Sequence, residues 1–330
     1  MLGSREEQKL NLDTPNARAS LDTTNGASDP IPTWLATVRK FVTLSTVVRL
    51  GRSGPTTLDQ LDNEICRLTD AALSASSLHR KVLNLWKIEG LVFRFFEGRD
   101  DPELSLRRSS MPLAAGPPAH CGLAMAIVLQ EGFDPQRLHD RFGITADPRF
   151  VMFCYETTGL MLAIAESRVF GGVVRGLGLA GLLRRRLAAA PESHGFLDSF
   201  TVEQRRLAAH GFGRALYFKT LGFSRAVSCA GGVPGIPATA ALRGLNSANS
   251  LINCRDLHSL LANDNEGISP GVAEGLDGGL LNTLSLLEWA FPGCSGALCC
   301  KTDRGGRILT TAQANARKAR DNELGPPMKA

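Results

Sequence analysis

Apolar residues recur along this chain every three or four positions, the interval at which an α-helix brings side chains back to one face. Thr57-x-x-Gln60 has the form of a capping box and is followed by Leu58, Leu61, Ile65 and Leu68. A second stripe, Leu78, Val82, Leu85 and Ile88, predicts a helix that stops at Gly90. The stretch 91–106 fits a short strand or a packed turn, and 107–118, with three prolines, reads as a loop. Helices are expected over 121–131 and over 135–141, the second opened by Asp134-Pro135. Residues 149–165 read as a long buried helix. Thr201-x-x-Gln204 opens another that runs to about Lys219, 238–262 is a third, and Ser269-Pro270 starts a fourth that Pro292-Gly293 ends.

No alternation of strand and helix periods occurs, so the predicted class is mainly α, a single globular multi-helix domain with disordered termini. Residues 1–33 are rich in Asp, Thr, Asn, Ser and Pro and read as a disordered segment. Residues 34–300 form the expected domain. Residues 301–330 lack a sustained apolar stripe and read as a disordered basic tail.

Composition adds limits. Aromatic residues make up 6% of the chain, thin for a pocket that stacks bases or stabilises carbocations. The net charge is +5. Seven basic against three acidic residues put +4 of it in 301–330, so no specific nucleic-acid binding is expected of the core. The eight cysteines have no C-x-x-C spacing and read as free thiols of a reducing compartment. Residues 1–10 lack the apolar region of a signal peptide, and no run reaches the roughly 18 apolar residues of a membrane span, so a cytoplasmic location is expected.

Motif matches fail on their physical context. Gly176-x-Gly178-x-x-Gly181 has dinucleotide-binding spacing, but the preceding 170–175 is a poor strand and no βαβ unit follows. The same glycines, with Leu177, Leu179, Leu182 and Arg184 to Arg186, fit a packed helix, a flap or a peripheral membrane contact through 170–186. Gly267-x-Ser269-x-Gly271 has nucleophile-elbow spacing. The residue that would donate the oxyanion-hole N–H is Pro270, which has none, so Ser269 reads as an N-cap. Asp100-Asp101 and the acidic run 263–266 lack ligand spacing and read as turns. The six histidines lack H-x-x-x-H or H-E-x-x-H arrangements, so neither metal nor cofactor is expected.

What remains is polarity on helical faces. His210, Arg214 and Tyr217 fall at i, i+4 and i+7, and Asn246, Asn249, Asn253 and Asp256 make another stripe. Glu156 interrupts the apolar run 150–165, and a carboxylate buried there needs a partner, most often arginine. One reading makes these solvent faces plus a buried Glu–Arg pair. The other has Glu156, His210, Arg214, Tyr217, Asn249 and Asn253 converge on an apolar cleft.

Gly211-Phe-Gly-Arg-Ala-Leu-Tyr-Phe218, with Tyr155-Glu156-x-x-Gly159-x-x-Leu162-Ala163 upstream, resembles an uncharacterised bacterial helical family associated with enediyne and other polyketide gene clusters. The similarity covers about 114–292. The resemblance implies a bacterial cytoplasmic protein acting near natural-product or lipid-like molecules, and it carries over no catalytic residue. The resulting expectation is an accessory protein that binds an apolar small molecule, polyketide- or lipid-like. Two alternatives stand beside it: an enzyme using His210 or Glu156 in general acid–base chemistry, and a peripheral membrane or partner-binding scaffold.

Overall fold

The computed structural model describes residues 31–33, 35–36, 39, 54–99, 111–165, 193–220, 222–231, 235–263, 268–296, 298 and 302–322. Among them no strand occurs. The helices are α1 (Leu58–Ser74), α2 (Leu78–Phe96), α3 (Gly116–Glu131), α4 (Pro135–Thr145), α5 (Val151–Ala165), α6 (Ser193–Asp198), α7 (Val202–Lys219), α8 (Phe223–Gly231), α9 (Ala238–Ile252), α10 (Leu257–Ala262), α11 (Pro270–Ala290) and α12 (Asp303–Asp321). The segments 100–110, 170–186 and 299–300, with the expectations placed on them, lie outside the described residues, as does the part of the acidic run from 264 to 266.

The caps work as local chemistry dictates. Thr201 accepts from the Gln204 backbone N–H while the Gln204 side chain accepts from the Thr201 N–H, a complete capping box. At Thr57 only half of the box forms. Its hydroxyl accepts from the Gln60 N–H, and the Gln60 side chain turns to the N–H and hydroxyl of Thr56 instead. Asp134 accepts from the Arg137 N–H at 3.0 Å, with Pro135 opening α4. Ser269 occupies the N-cap position of α11, but its side chain makes no capping bond.

Several boundaries differ from the sequence reading. Helix α2 continues through Gly90 to Phe96, because the next turns bury Leu91, Val92, Phe93, Phe95 and Phe96, outweighing the roughly 1 kcal/mol a helical glycine costs. Helix α3 starts at Gly116 rather than at 121, with Pro117 and Pro118 in its first turn, where an absent N–H leaves no bond broken. Its buried His120 places Nδ1 2.8 Å from the Gly116 carbonyl, and Nε2 accepts the Asp147 N–H at 3.0 Å. The expected helix 238–262 breaks at Asn253, whose side-chain amide donates to the Asn249 carbonyl and competes with the backbone ladder. A 3-10 turn, Cys254–Asp256, then leads into α10.

The largest correction concerns the C-terminal segment. Residues 303–321 of the expected disordered tail form α12, capped by Thr302, which accepts from the Gly305 N–H at 3.1 Å. Its buried stripe is Ile308, Ala312, Ala316 and Ala319, small side chains that let α12 lie against α11 and α10. Two of its basic residues are tied into the fold. Arg304 pairs with Asp277 and donates to the Asn263 carbonyl at 2.7 Å, while Arg320 donates to the Glu288 carbonyl at 2.5 Å.

Neighbouring helices follow the order α12, α11, α9, α7, α5, α3, α2, α1. Glycines let the central members touch backbone to backbone. A Cβ on Gly159 of α5 would stand 1.8 Å from the Ala208 carbonyl oxygen, and one on Gly244 of α9 would stand 1.7 Å from that of His210. Such approaches suit weak Cα–H···O contacts and bring side chains flanking each crossing together. The segment Leu113–Glu131 is long and apolar enough to cross a membrane, yet 78% of its most apolar window is buried inside the fold. Among the described cysteines, Cys121, Cys154 and Cys254 are buried, Cys66 and Cys294 are half-buried, and Cys229 is exposed, all as free thiols.

Candidate functional site

The row of helices encloses a cavity of about 760 Å³, counting its open mouth. Its walls are apolar: Val82, Leu85 and Trp86 from α2, Phe153 from α5, Leu251 from α9, and Leu286, Leu287 and Ala290 from α11. Its polar lining comes from Glu89, Glu156, His210, Arg214, Ser247, Asn282 and Thr283.

Glu156, the carboxylate predicted to need a partner, has one. Arg214 Nη1 donates to its Oε1 at 2.7 Å, and His210 Nδ1 lies 3.1 Å from the same oxygen. The imidazole contact is close but not aligned for an N–H···O bond. Burial pushes the Glu156 carboxyl upward, and the neighbouring His210 and Arg214, the latter also by its hydrogen bond, overcome it and hold the group well below the ordinary carboxylate range. Arg214 is correspondingly fixed as a cation.

The network continues into α9 and α11. His210 Nε2 lies 3.3 Å from Ser247 Oγ, and the Ser247 hydroxyl donates to the Gly279 carbonyl at 3.0 Å. Four helices are thus linked through one polar chain at the cavity wall. It is incompletely satisfied: Glu156 Oε2 and Arg214 Nε are buried with no hydrogen-bond partner among the described residues. A buried carboxylate oxygen without a donor is costly, of order 1–3 kcal/mol, and marks a place where an additional group can bind.

Of the six predicted residues, the structure brings Glu156, His210 and Arg214 together at the cavity. It does not bring Tyr217, Asn249 and Asn253 there. Asn253 donates to the Tyr217 hydroxyl at 2.9 Å and to Asn249 Oδ1 at 3.0 Å, and Asn249 donates to Asn246 Oδ1 at 3.1 Å. Asn246 in turn donates to the Leu276 carbonyl at 2.6 Å, and Arg39 donates to Asn253 Oδ1 at 3.0 Å. These residues form a second network that ties α7, α9 and α11 together. Helical spacing put them on the right helices, but from Arg214 to Tyr217 the stripe turns away from the cavity.

Sequence reasoning missed Glu89, Ser247, Asn282 and Thr283. For Glu89 a signal existed: a lone carboxylate between Ile88 and the apolar run Leu91–Phe93, the same anomaly that singled out Glu156. Ser247 and Thr283 carried none, since small hydroxyl residues are common in close helix contacts. Burial raises the Glu89 carboxyl above its ordinary value, with the Arg214 charge opposing and the Glu156 charge reinforcing the shift. Burial also pushes the Cys121 thiol up to about 12, so it is no nucleophile at neutral pH. Among the described residues no three His, Cys, Asp or Glu side chains are grouped to hold a metal ion. Comparison with protein-family models, curated proteins and solved structures finds no match.

Proposed function

We propose that the chain binds an apolar small molecule, polyketide- or lipid-like, in the cavity between α2, α3, α5, α7, α9 and α11. The observation that carries this reading is the Glu156 carboxylate, 1% exposed, whose Oε2 has no donor among the described residues although it lines a mainly apolar cavity. Apolar walls with a few convergent polar groups are the usual build of a small-molecule site. The walls supply affinity and the Glu156–Arg214–His210 cluster orients the polar end of the ligand.

The test is titration of the full chain with a solvatochromic apolar dye, followed by displacement with medium-chain alcohols and by native mass spectrometry. Saturable one-to-one binding is expected. It should be abolished in Ala290→Phe, which fills the cavity from α11, where Ala290 is 8% exposed. Binding that survives in that variant places the ligand elsewhere and sinks the reading.

A second reading, an acid–base enzyme acting on the same molecule, is favoured by one geometry. Ser247, His210 and Glu156 stand in series at 3.3 and 3.1 Å on the cavity wall, the order of a nucleophile, its base and a carboxylate beside the base, reached once the Ser247 hydroxyl turns from the Gly279 carbonyl to His210 Nε2. A serine-directed fluorophosphonate that labels Ser247 in the wild type and not in His210→Gln supports it. An unlabelled Ser247 leaves the chain as a helix-linking ladder.

A further inference from the structure

We infer that the ligand of this cavity carries a protonated amine, and that Glu89 of α2 is the residue that holds it. The inference rests on the cavity being a ligand site, and it names the chemistry of the head group.

The fold compensates the carboxylates it buries, Glu156, Glu288 and Asp147. Glu156 has Arg214 at 2.7 Å. Glu288 accepts from the Gly293 N–H at 2.7 Å and from the N–H and hydroxyl of Ser295 at 3.1 and 2.6 Å. Asp147 pairs with Arg149 at 2.8 Å. Each has the cation or donors that a carboxylate removed from water requires. Glu89, half-buried on the cavity wall, has no such compensation. It lines the cavity, and its side chain has no hydrogen bond or ion pair with any described residue. Arg214, the cation whose charge acts on Glu89, already serves Glu156. With Glu89 ionised, the cavity holds two carboxylates against one guanidinium, the only side chain of its described lining that is a cation at every pH of interest, a deficit of one fixed positive charge.

A ligand that repairs the deficit brings a cation with N–H donors. An alkylammonium provides three donors on a compact charge, enough to meet Glu89 and the donorless Glu156 Oε2 together. The surroundings suit it. Trp86 lies three residues before Glu89 on the same helix, so their side chains share a face, and both line the cavity with Phe153 and Phe291. Aromatic faces attract organic cations while tolerating the apolar chain behind them. No metal-capable group of three ligands is present among the described residues, which points to an organic cation. The burial that makes ionised Glu89 costly without a ligand is relieved when a positive charge arrives.

The experiment is calorimetric titration of the full chain at pH 7 with octylamine, 1-octanol and octanoate, whose tails match and whose heads differ. The wild type is expected to bind the amine about tenfold tighter than the alcohol, the usual scale for one well-placed charge-assisted contact. Glu89→Gln should bring the amine down to the affinity of the alcohol and leave the alcohol unchanged. Equal wild-type affinities, a preference for octanoate, or an amine preference that persists in Glu89→Gln overturns the inference. The wild-type ratio needs no variant, so a misfolded Glu89→Gln still leaves it decided. Alcohol binding without amine preference defeats only the head-group assignment; no binding by any of the three defeats the ligand site itself.

Discussion

Gly211 of α7 lies so close to Glu156 of α5 that a Cβ placed on it would stand 1.6 Å from the Glu156 backbone oxygen. This contact fixes the site. With the two backbones touching there, the side chains flanking the crossing, Glu156 on one helix and His210 and Arg214 on the other, have no room except against one another. Gly211→Ala must push α5 and α7 apart, and a loss of about 2–4 kcal/mol is expected from urea unfolding. Gly143→Ala is the control: its Cβ meets nothing within 4 Å, and it should be neutral or stabilising by up to about 1 kcal/mol. Similar midpoints for the two variants would mean that the crossing is looser than described.

Removing one member of the buried ion pair should cost more than removing both. Arg214→Leu strands the Glu156 carboxylate in the core, and a loss of about 3–5 kcal/mol is expected. Glu156→Leu strands the guanidinium in the same way. The double variant, with both charges gone, should unfold at higher urea than either single variant. Additive losses in the double-mutant cycle would deny the coupling.

Acid stability follows from the same pair. The folded-state pKa of Glu156 is lowered from an ordinary 4.5 to about 2. A depressed carboxylate pKa contributes stability that is whole above the unfolded value and lost as pH falls through the folded one. On the order of 3 kcal/mol should therefore disappear between pH 4.5 and about 2. Urea midpoints across that window should fall steeply in the wild type and more gently in Glu156→Gln.

Helix α12 gives a prediction that a disordered tail would not. Ala312 and Ala316 are fully buried, so Ala312→Asp or Ala316→Asp should lower stability by at least about 2 kcal/mol, with the melting temperature falling accordingly. Glu at the exposed Thr311 should leave the melting temperature within experimental error. Equal melting temperatures for all three variants would detach α12 from the core.

Tyr217→Phe separates structure from binding. It removes the hydroxyl that accepts from Asn253 at 2.9 Å, and a loss of about 1 kcal/mol in stability is expected. Dye affinity should stay unchanged, because the Tyr217–Asn253–Asn249 network does not line the cavity. A weakened affinity at wild-type stability would return these residues to the site.

Sequence by itself determined what depends on local chemistry and period. The helical class, the Thr201 capping box, the Asp134-Pro135 start and the failure of Ser269 as a nucleophile elbow all rest on residues within one helical turn. The need of Glu156 for a cation was also legible, since a charge inside an apolar run must be compensated wherever the run is buried. Tertiary structure alone decided which cation it takes and where the stripes lead. Arg214 and His210 reach Glu156 because Gly159 and Gly211 permit backbone contact, a relation between residues about fifty positions apart. Tyr217 and the asparagines shared the right helices but turned to another neighbour. The alanine stripe of α12 is too weakly apolar to register along the sequence, yet it is well suited to close packing once α10 and α11 provide a surface. Glu89 and Ser247 entered the site for the same reason: a cavity is defined by what surrounds it, and six helices must be in place before any side chain can be said to line it.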